Sequence, residues 1–423
     1  MKRRPGTALS CFANGYHHRS MSTAPLEALP EHIRRPHIRT IQPIAVKDPQ
    51  GKMMVALRDP SMLSQQTVVV PAQAMQLLQH FRGDRPLDQI ATATSAPLPN
   101  LIALAKGLDK VGLLWGPTCE QMEQALLEKI RGNKAFPAMA STALGTDAEA
   151  VRKAIDGYFD QTDDPELESI PTAIVAPHLD YQRGWPNYAG AYFALRNAPA
   201  PDRVVILGTN HYGVTDGVVM TEFGFDSPLG RCEPDAPVIS EVVNSLGKKI
   251  VLDQLDHYAE HSVQLQLPWL QHCWGNVPLV AALLPDPLQP MISNDGGRAT
   301  GKQFVEAMRG ALDKVGGRTF FVASSDLSHV GPQFGEPRPV DEQRRFDVER
   351  HDREMLGKFL TGDPEEFLAA MKWNKNPTRW CSIGNMSAVL GLVQPENVEL
   401  IDYRQAYDDQ GMGMVTCAAM ALA

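Results

Sequence analysis

Five short segments between Thr172 and Met420 carry side chains that bind metals or move protons. They are APHLDY with His178, LGTNHYG with His211, DHYAEHSVQLQLPWL with Glu260 and His261, SSDLSHVG with Asp326 and His329, and RWCSIG with Cys381. A borderline or soft ion takes imidazole, with a thiolate or carboxylate completing its shell and one position open for substrate or oxygen. His178, His211 and Cys381 offer such a set. A single histidine at a strand end is more often a satisfied polar residue than a ligand, but two at neighbouring strand ends point to a site. Cys381 alone reads as a small buried apolar residue, because free cysteine is among the most buried residue types.

Glu260 and His261 open an amphipathic helix whose apolar residues include Val263, Leu265, Leu267 and Leu270. A carboxylate there gains from the helix N-terminus. Three roles stay open: a partner that orients a ligand histidine, an acid/base pair at the pocket rim, or a helix cap shared with Asp256. SSDLSHVG follows an apolar run, so Ser324, Ser325 and Asp326 are expected in a loop at the sheet edge, with His329 one turn on. Such a loop suits a general base with an orienting carboxylate, or a polar helix cap. It also contains Ser, His and Asp, yet it has no G-x-S-x-G elbow, and triad members normally lie far apart in sequence. A hydrolase is the weaker reading.

These residues need a sheet to present them. The runs Ile174 to Ala176 and Val204 to Leu207 precede His178 and His211 and read as buried parallel strands, so both histidines emerge at the carboxyl edge of one sheet, where open α/β sheets place their sites. Strands over Thr172 to Ala176, Arg203 to Gly208, Leu279 to Leu284 and Thr319 to Ala323 alternate with helices over Pro186 to Arg196, Ala259 to Cys273, Gly301 to Val315, Asp341 to Thr361 and Asp363 to Met371. That alternation predicts an α/β fold, a mixed doubly wound sheet flanked by helices, which Val398 to Tyr403 and Gly413 to Met420 extend. Before it, short alternating runs (Ile38 to Ala45, Met53 to Leu57, Thr67 to Val70), helices over Ala72 to Phe81, Leu87 to Thr94 and Pro99 to Val111, and a closing run at Gly112 to Leu114 predict a small winged-helix-like domain. The expected domains are a disordered arm over 1–36, this module over 37–122, a connector over 123–146 whose small, polar Pro137 to Gly145 marks the boundary, and the α/β domain over 147–423. A piece starting near Asp147 is expected to fold alone. Met21 opens a more ordinary amino terminus, so a start there would leave out the residues before it.

With 423 residues, 43% hydrophobic and 21% charged, the chain has ample core for two domains and no apolar run near the length of a membrane span. A formal net charge of -9 argues against nucleic acid as a partner. The six cysteines are scattered without a CxxC pair, as expected of reduced thiols in a cytoplasmic protein.

APH-x-x-Y, LG-x-x-H, EHS-x-x-x-x-LP, SSDLSH and the later Cys381 follow one another in the order of the Memo family, which the chain resembles over Thr172 to Met420. The resemblance implies a fold like that of class III extradiol ring-opening dioxygenases and a mononuclear iron or copper held by His178, His211 and Cys381. His329 then occupies the dioxygenases' catalytic-base position, with Asp326, Glu260 and His261 beside it. Cysteine replaces the dioxygenases' carboxylate ligand, which turns the expectation from ring cleavage toward other metal-dependent redox chemistry on a small-molecule or peptide substrate. The alternative is a non-catalytic module that captures a peptide or other ligand in a vestigial pocket. Leu179 and Asp180 stand where many relatives have small residues, and a charge at 180 is expected to tighten cation binding or disfavour an anion. The family also implies a radical-SAM partner protein. The stretch VALRDPSMLSQQTVVVPAQAMQLLQHFRGDRPLDQI resembles PqqD-like domains, which implies capture of an extended peptide along a sheet edge.

Overall fold

The structure is a computed structural model that describes residues 26–213, 216–289 and 298–423. The chain divides into two compact units between Gly132 and Asn133.

In the first unit the antiparallel strands Gln42–Lys47, Met53–Arg58 and Val68–Pro71 pair in that order. Apolar residues at helical spacing on Leu87–Thr94 and Leu98–Lys110 join Leu57, Val70 and Phe81 in one core. The expected arm is only partly outside the described residues. Residues 26–36 form a 3-10 turn over Leu26–Ala28 and a helix over Glu31–Arg34, and Leu29 and Ile33 enter the same core. Apolar side chains at that spacing give the segment enough buried area to be ordered. The helix Pro117–Asn133 runs through the expected module edge at Met122.

The second unit is built on an eight-stranded mixed sheet among the described residues. Its order is Asp326–Val330, Met414–Leu422, Ala173–Ala176, Thr319–Ser324, Arg203–Thr209, Leu279–Leu284, Val219–Met220, with Val398–Tyr407 paired to Met414–Leu422. The four strands from Ala173–Ala176 to Leu279–Leu284 are parallel, and their near-continuous burial is what strands covered on both faces require. Val175, Val205, Leu207, Val280, Ala282 and Ala323 enter one core with the helices Gly301–Val315 and Ile383–Val393. Tyr181–Tyr192 packs instead on Ala173–Ala176 and the carboxyl-terminal hairpin.

Three expectations change. Pro137 to Gly145 is not a linker: Ala135–Phe136 pairs with Gly224–Ser227, and Met139 and Ser141 donate their N–H groups to the Gln264 side chain at 2.8 and 3.5 Å. The segment belongs to the second unit, with Ser141 buried there, so a piece starting near Asp147 would lack a strand and two of these bonds. The expected helix Ala259 to Cys273 is two helices, His261–Gln264 and Leu267–Trp274, because Pro268 has no N–H to continue the first. SSDLSHVG is neither loop nor cap: Asp326–Val330 is a strand antiparallel to Met414–Leu422, with a shift of register between Asp326 and His329. No helix of the described residues is long and apolar enough to cross a membrane.

Candidate metal centre

His178 and His211 each follow the carboxyl end of a parallel strand by two residues, and the strand Thr319–Ser324 lies between them. The middle strand's end becomes part of the support. His178 is 2% exposed, its ring Nδ1 lies 3.0 Å from the Ser324 carbonyl, and its backbone N–H donates to Asp326 at 2.9 Å. A carbonyl accepts only, so Nδ1 carries the hydrogen and Nε2 presents a lone pair. His211 is fixed in the same sense, with Nδ1 3.0 Å from Glu260 Oε1 and its backbone N–H donating to Oε2 at 2.9 Å. A carboxylate behind an imidazole is the usual means of orienting a metal-binding histidine. Glu260 is also the cap of His261–Gln264, accepting from Ser262 N at 2.9 Å, so the cap and the orienting roles are the same carboxylate doing both.

His261 completes the cluster. One ligating atom from each of His178, His211 and His261 lies within 4.8 Å of the others, and the ring centroids are 4.7 to 5.3 Å apart. Cys381 adjoins them: its Sγ is 3.4 Å from His178 Nε2 and 3.2 Å from the Ser382 hydroxyl. An ion about 2.1 Å from nitrogen and about 2.3 Å from sulfur holds such a pair roughly 3.6 Å apart at a tetrahedral angle, so the Cys381–His178 pair is spaced as two ligands of one ion are, while the mutually close group among the described residues is the three histidines. Sequence spacing placed His261 at a pocket rim and left its ring's convergence with the other two unseen.

Electrostatics favour neutral imidazoles at most of these positions. Burial, with His211 and His261 alongside, holds His178 well below its ordinary value, and burial lowers His261 to about 4. Burial opposes charge on His211 too, but Glu260 and Cys381 outweigh it and raise that ring well above 6.5. Against its own burial, Glu260 is held well below the usual carboxylate range by His211 and His261.

Asp326 is not the carboxylate that orients His329. Asp326 serves His178, while His329 Nδ1 faces the carbonyls of Leu327 at 3.0 Å and Arg379 at 3.2 Å. Those carbonyls fix its hydrogen on Nδ1 and leave Nε2 as an acceptor. The bulge between the two residues is what re-aims them. Burial lowers His329 to about 4 and raises Asp326 to about 7. Asp180 caps the helix Tyr181–Tyr192 and pairs with Arg183 at 2.6 Å.

Residues the motifs did not single out hold this arrangement. Asn385 Nδ2 donates to the Ser324 carbonyl at 2.7 Å, and Gln266 Nε2 to the Ser324 hydroxyl at 2.8 Å. Asp352, fully buried, accepts from Ser328 at 2.5 Å, Thr416 at 2.6 Å, Trp380 Nε1 at 2.8 Å and the Tyr403 hydroxyl at 2.9 Å. It therefore ties the strand of His329 to the segment of Cys381.

A neighbouring histidine sets a pH response of its own. His257 is fully buried, packs beside Phe136 and Phe225, and is lowered by burial to about 4 from 6.5. Between those values the unfolded chain binds a proton that the fold does not, so stability falls as pH drops through that window, by about 1.4 kcal/mol per pH unit for this group. His257→Phe should flatten the pH dependence of the urea midpoint between pH 6.5 and 4.5 by one proton. An unchanged slope would mean that His257 is not the group responsible.

Comparison with known proteins agrees with the order of the motifs. Residues 136–420 match the family described as Memo-like protein. A MEMO1 family protein of Pyrobaculum aerophilum is 33% identical over 169 residues, which is 40% of this chain and 57% of that protein. Another, from Methanopyrus kandleri, is 28% identical over 65% of this chain and 93% of its own length. A third, from Thermus thermophilus, is 26% identical over 77% of this chain and 94% of its own. With the match beginning at the first strand of the second unit and running to the last, the chain belongs to the family of Memo-like proteins.

Proposed function

We propose that His178, His211 and Cys381, with His261 adjoining, hold one iron or copper ion and that the protein performs metal-dependent redox chemistry on a bound substrate. The observation behind this reading is the pair of tied-back imidazoles: Ser324 and Glu260 hold each Nδ1, so both Nε2 lone pairs are free to meet beside a thiol. Imidazole with thiolate is a softer set than two histidines with a carboxylate and suits copper or iron. Such an ion supplies one-electron chemistry and a polarising charge. The chain supplies orientation through Glu260 and Ser324, and a proton acceptor at His329 Nε2 that is neutral above about pH 4.

Metal analysis of anaerobically purified protein tests this. About one iron or copper per chain is expected, lost in His178→Ala and retained in His329→Ala. Metal-dependent oxygen uptake should be level from pH 8 to about 5, fall below that as His329 takes up a proton, and drop roughly a hundredfold in His329→Ala. A chain that takes up only zinc would sink the redox reading, and loss of metal from His329→Ala would make that residue a ligand.

A further inference from the structure

Two adjoining cavities extend from Cys381. The first, about 540 Å³, is lined by Lys372, Lys375, Arg379 and Cys381. The second, about 390 Å³, is walled by Leu284, Pro285, Val305, Leu368 and Ala388. Asp286 and Gln289 line both, so the two are neighbours. The helix Pro364–Asn374 runs beside them: Pro364 and Leu368 line the apolar cavity, and Lys372, one turn further, lines the other.

Charge is arranged along this groove with a direction. In a chain of net charge -9, the cavity at Cys381 has three cations and one carboxylate, Asp286. Arg379 is partly engaged, 3.3 Å from Glu336 and donating to the His329 carbonyl at 3.1 Å. Lys372 and Lys375 form no ion pair with a described residue. The apolar cavity carries Glu306 and Glu365 against one cation, Lys302, so its charged rim is net negative and disfavours a second anion at that end. The turn presenting the cations is also held in a costly shape. Lys375, Asn376 and Arg379 have φ of 58, 46 and 60°, in the left-handed region that favours glycine. Asn376 pins it, accepting from Trp380 N at 2.7 Å and donating to Trp380 O at 2.9 Å. Strain of this kind persists where the surroundings over-determine it and clusters at sites that bind.

We propose that the substrate of the metal site is an acid with an apolar body, its phosphate or carboxylate seated on Lys372, Lys375 and Arg379 beside Cys381 and its apolar part in the cavity against Leu368 and Val305. Calling it the substrate rests on the proposed function; the binding itself does not. Isothermal titration of the full chain, metal-loaded and metal-free, with inorganic phosphate, butyl, hexyl and octyl phosphate, octanoate and octanol separates these points. Octyl phosphate and octanoate should bind, octanol and inorganic phosphate much more weakly, and affinity should rise about fourfold per methylene along the phosphate series. The double variant Lys372→Glu, Lys375→Glu should bind octyl phosphate about tenfold more weakly or worse, with metal content unchanged. Wild-type affinity in that variant, octanol binding as well as octyl phosphate, or no gain from butyl to octyl would each overturn the proposal. Anion binding by a chain that takes up no iron or copper would remove the redox reading and leave this one standing.

Discussion

Replacing Glu260 with alanine is expected to lower metal affinity about a hundredfold, the largest effect of any side chain that is not itself a ligand. Glu260 is 1% exposed and accepts from His211 N, His211 Nδ1 and Ser262 N, with His261 Nδ1 3.3 Å away. Without it the His211 ring is free to turn, and Nδ1 no longer has a partner that commits Nε2 to the ion. Glu260→Gln keeps the volume but sets an NH2 against one of those donors, so it should recover only part of the loss. Competition with a chelator of known affinity measures both variants. A change under about threefold would show that His211 is oriented by something else, or that it is not a ligand.

Asp352→Ala should be the most destabilising single change in the second unit. Four donors converge on this carboxylate, and burial pushes its pKa up while those donors pull it back. Each buried donor left without a partner costs about 1 to 3 kcal/mol, and the sum is not additive, so a loss of about 4 kcal/mol or more is expected. Asp352→Asn turns an NH2 toward one pair of donors and should cost nearly as much. Denaturant unfolding of the metal-free protein reads this without the site's contribution. A loss below about 1 kcal/mol would mean that water replaces the carboxylate and the interior there is less closed than its burial implies.

The two buttresses differ in how far they can be read from sequence. Glu260 sits beside a motif histidine and ahead of an apolar helix, so its type and place announce it. Asp352 lies in Glu342–Phe359, a helix crowded with charge, where nothing in the letters separates the one carboxylate facing inward from those facing water. The parallel strands were legible because burial on both faces forces continuous apolar runs. The helix Ile383–Val393 was not, for the same reason: seven of its residues are buried, and a helix apolar on all sides has no periodic face to detect. The histidines were legible as strand-end residues. That His178 and His211 flank the strand Thr319–Ser324 was not, because strand order is fixed by long-range pairing, and spacing along the chain carries no record of it.

The four-way grip of Asp352 also orders events in time. Ser328, Trp380, Tyr403 and Thr416 are drawn from the 89 positions 328–416, and Thr416 lies on the strand Met414–Leu422. During synthesis His178, His211 and His261 are made well before that strand. Only when Thr416 arrives is the segment of Cys381 clamped beside them. If the proposed ion binds here, completing its surroundings waits for the strand Met414–Leu422 to be made.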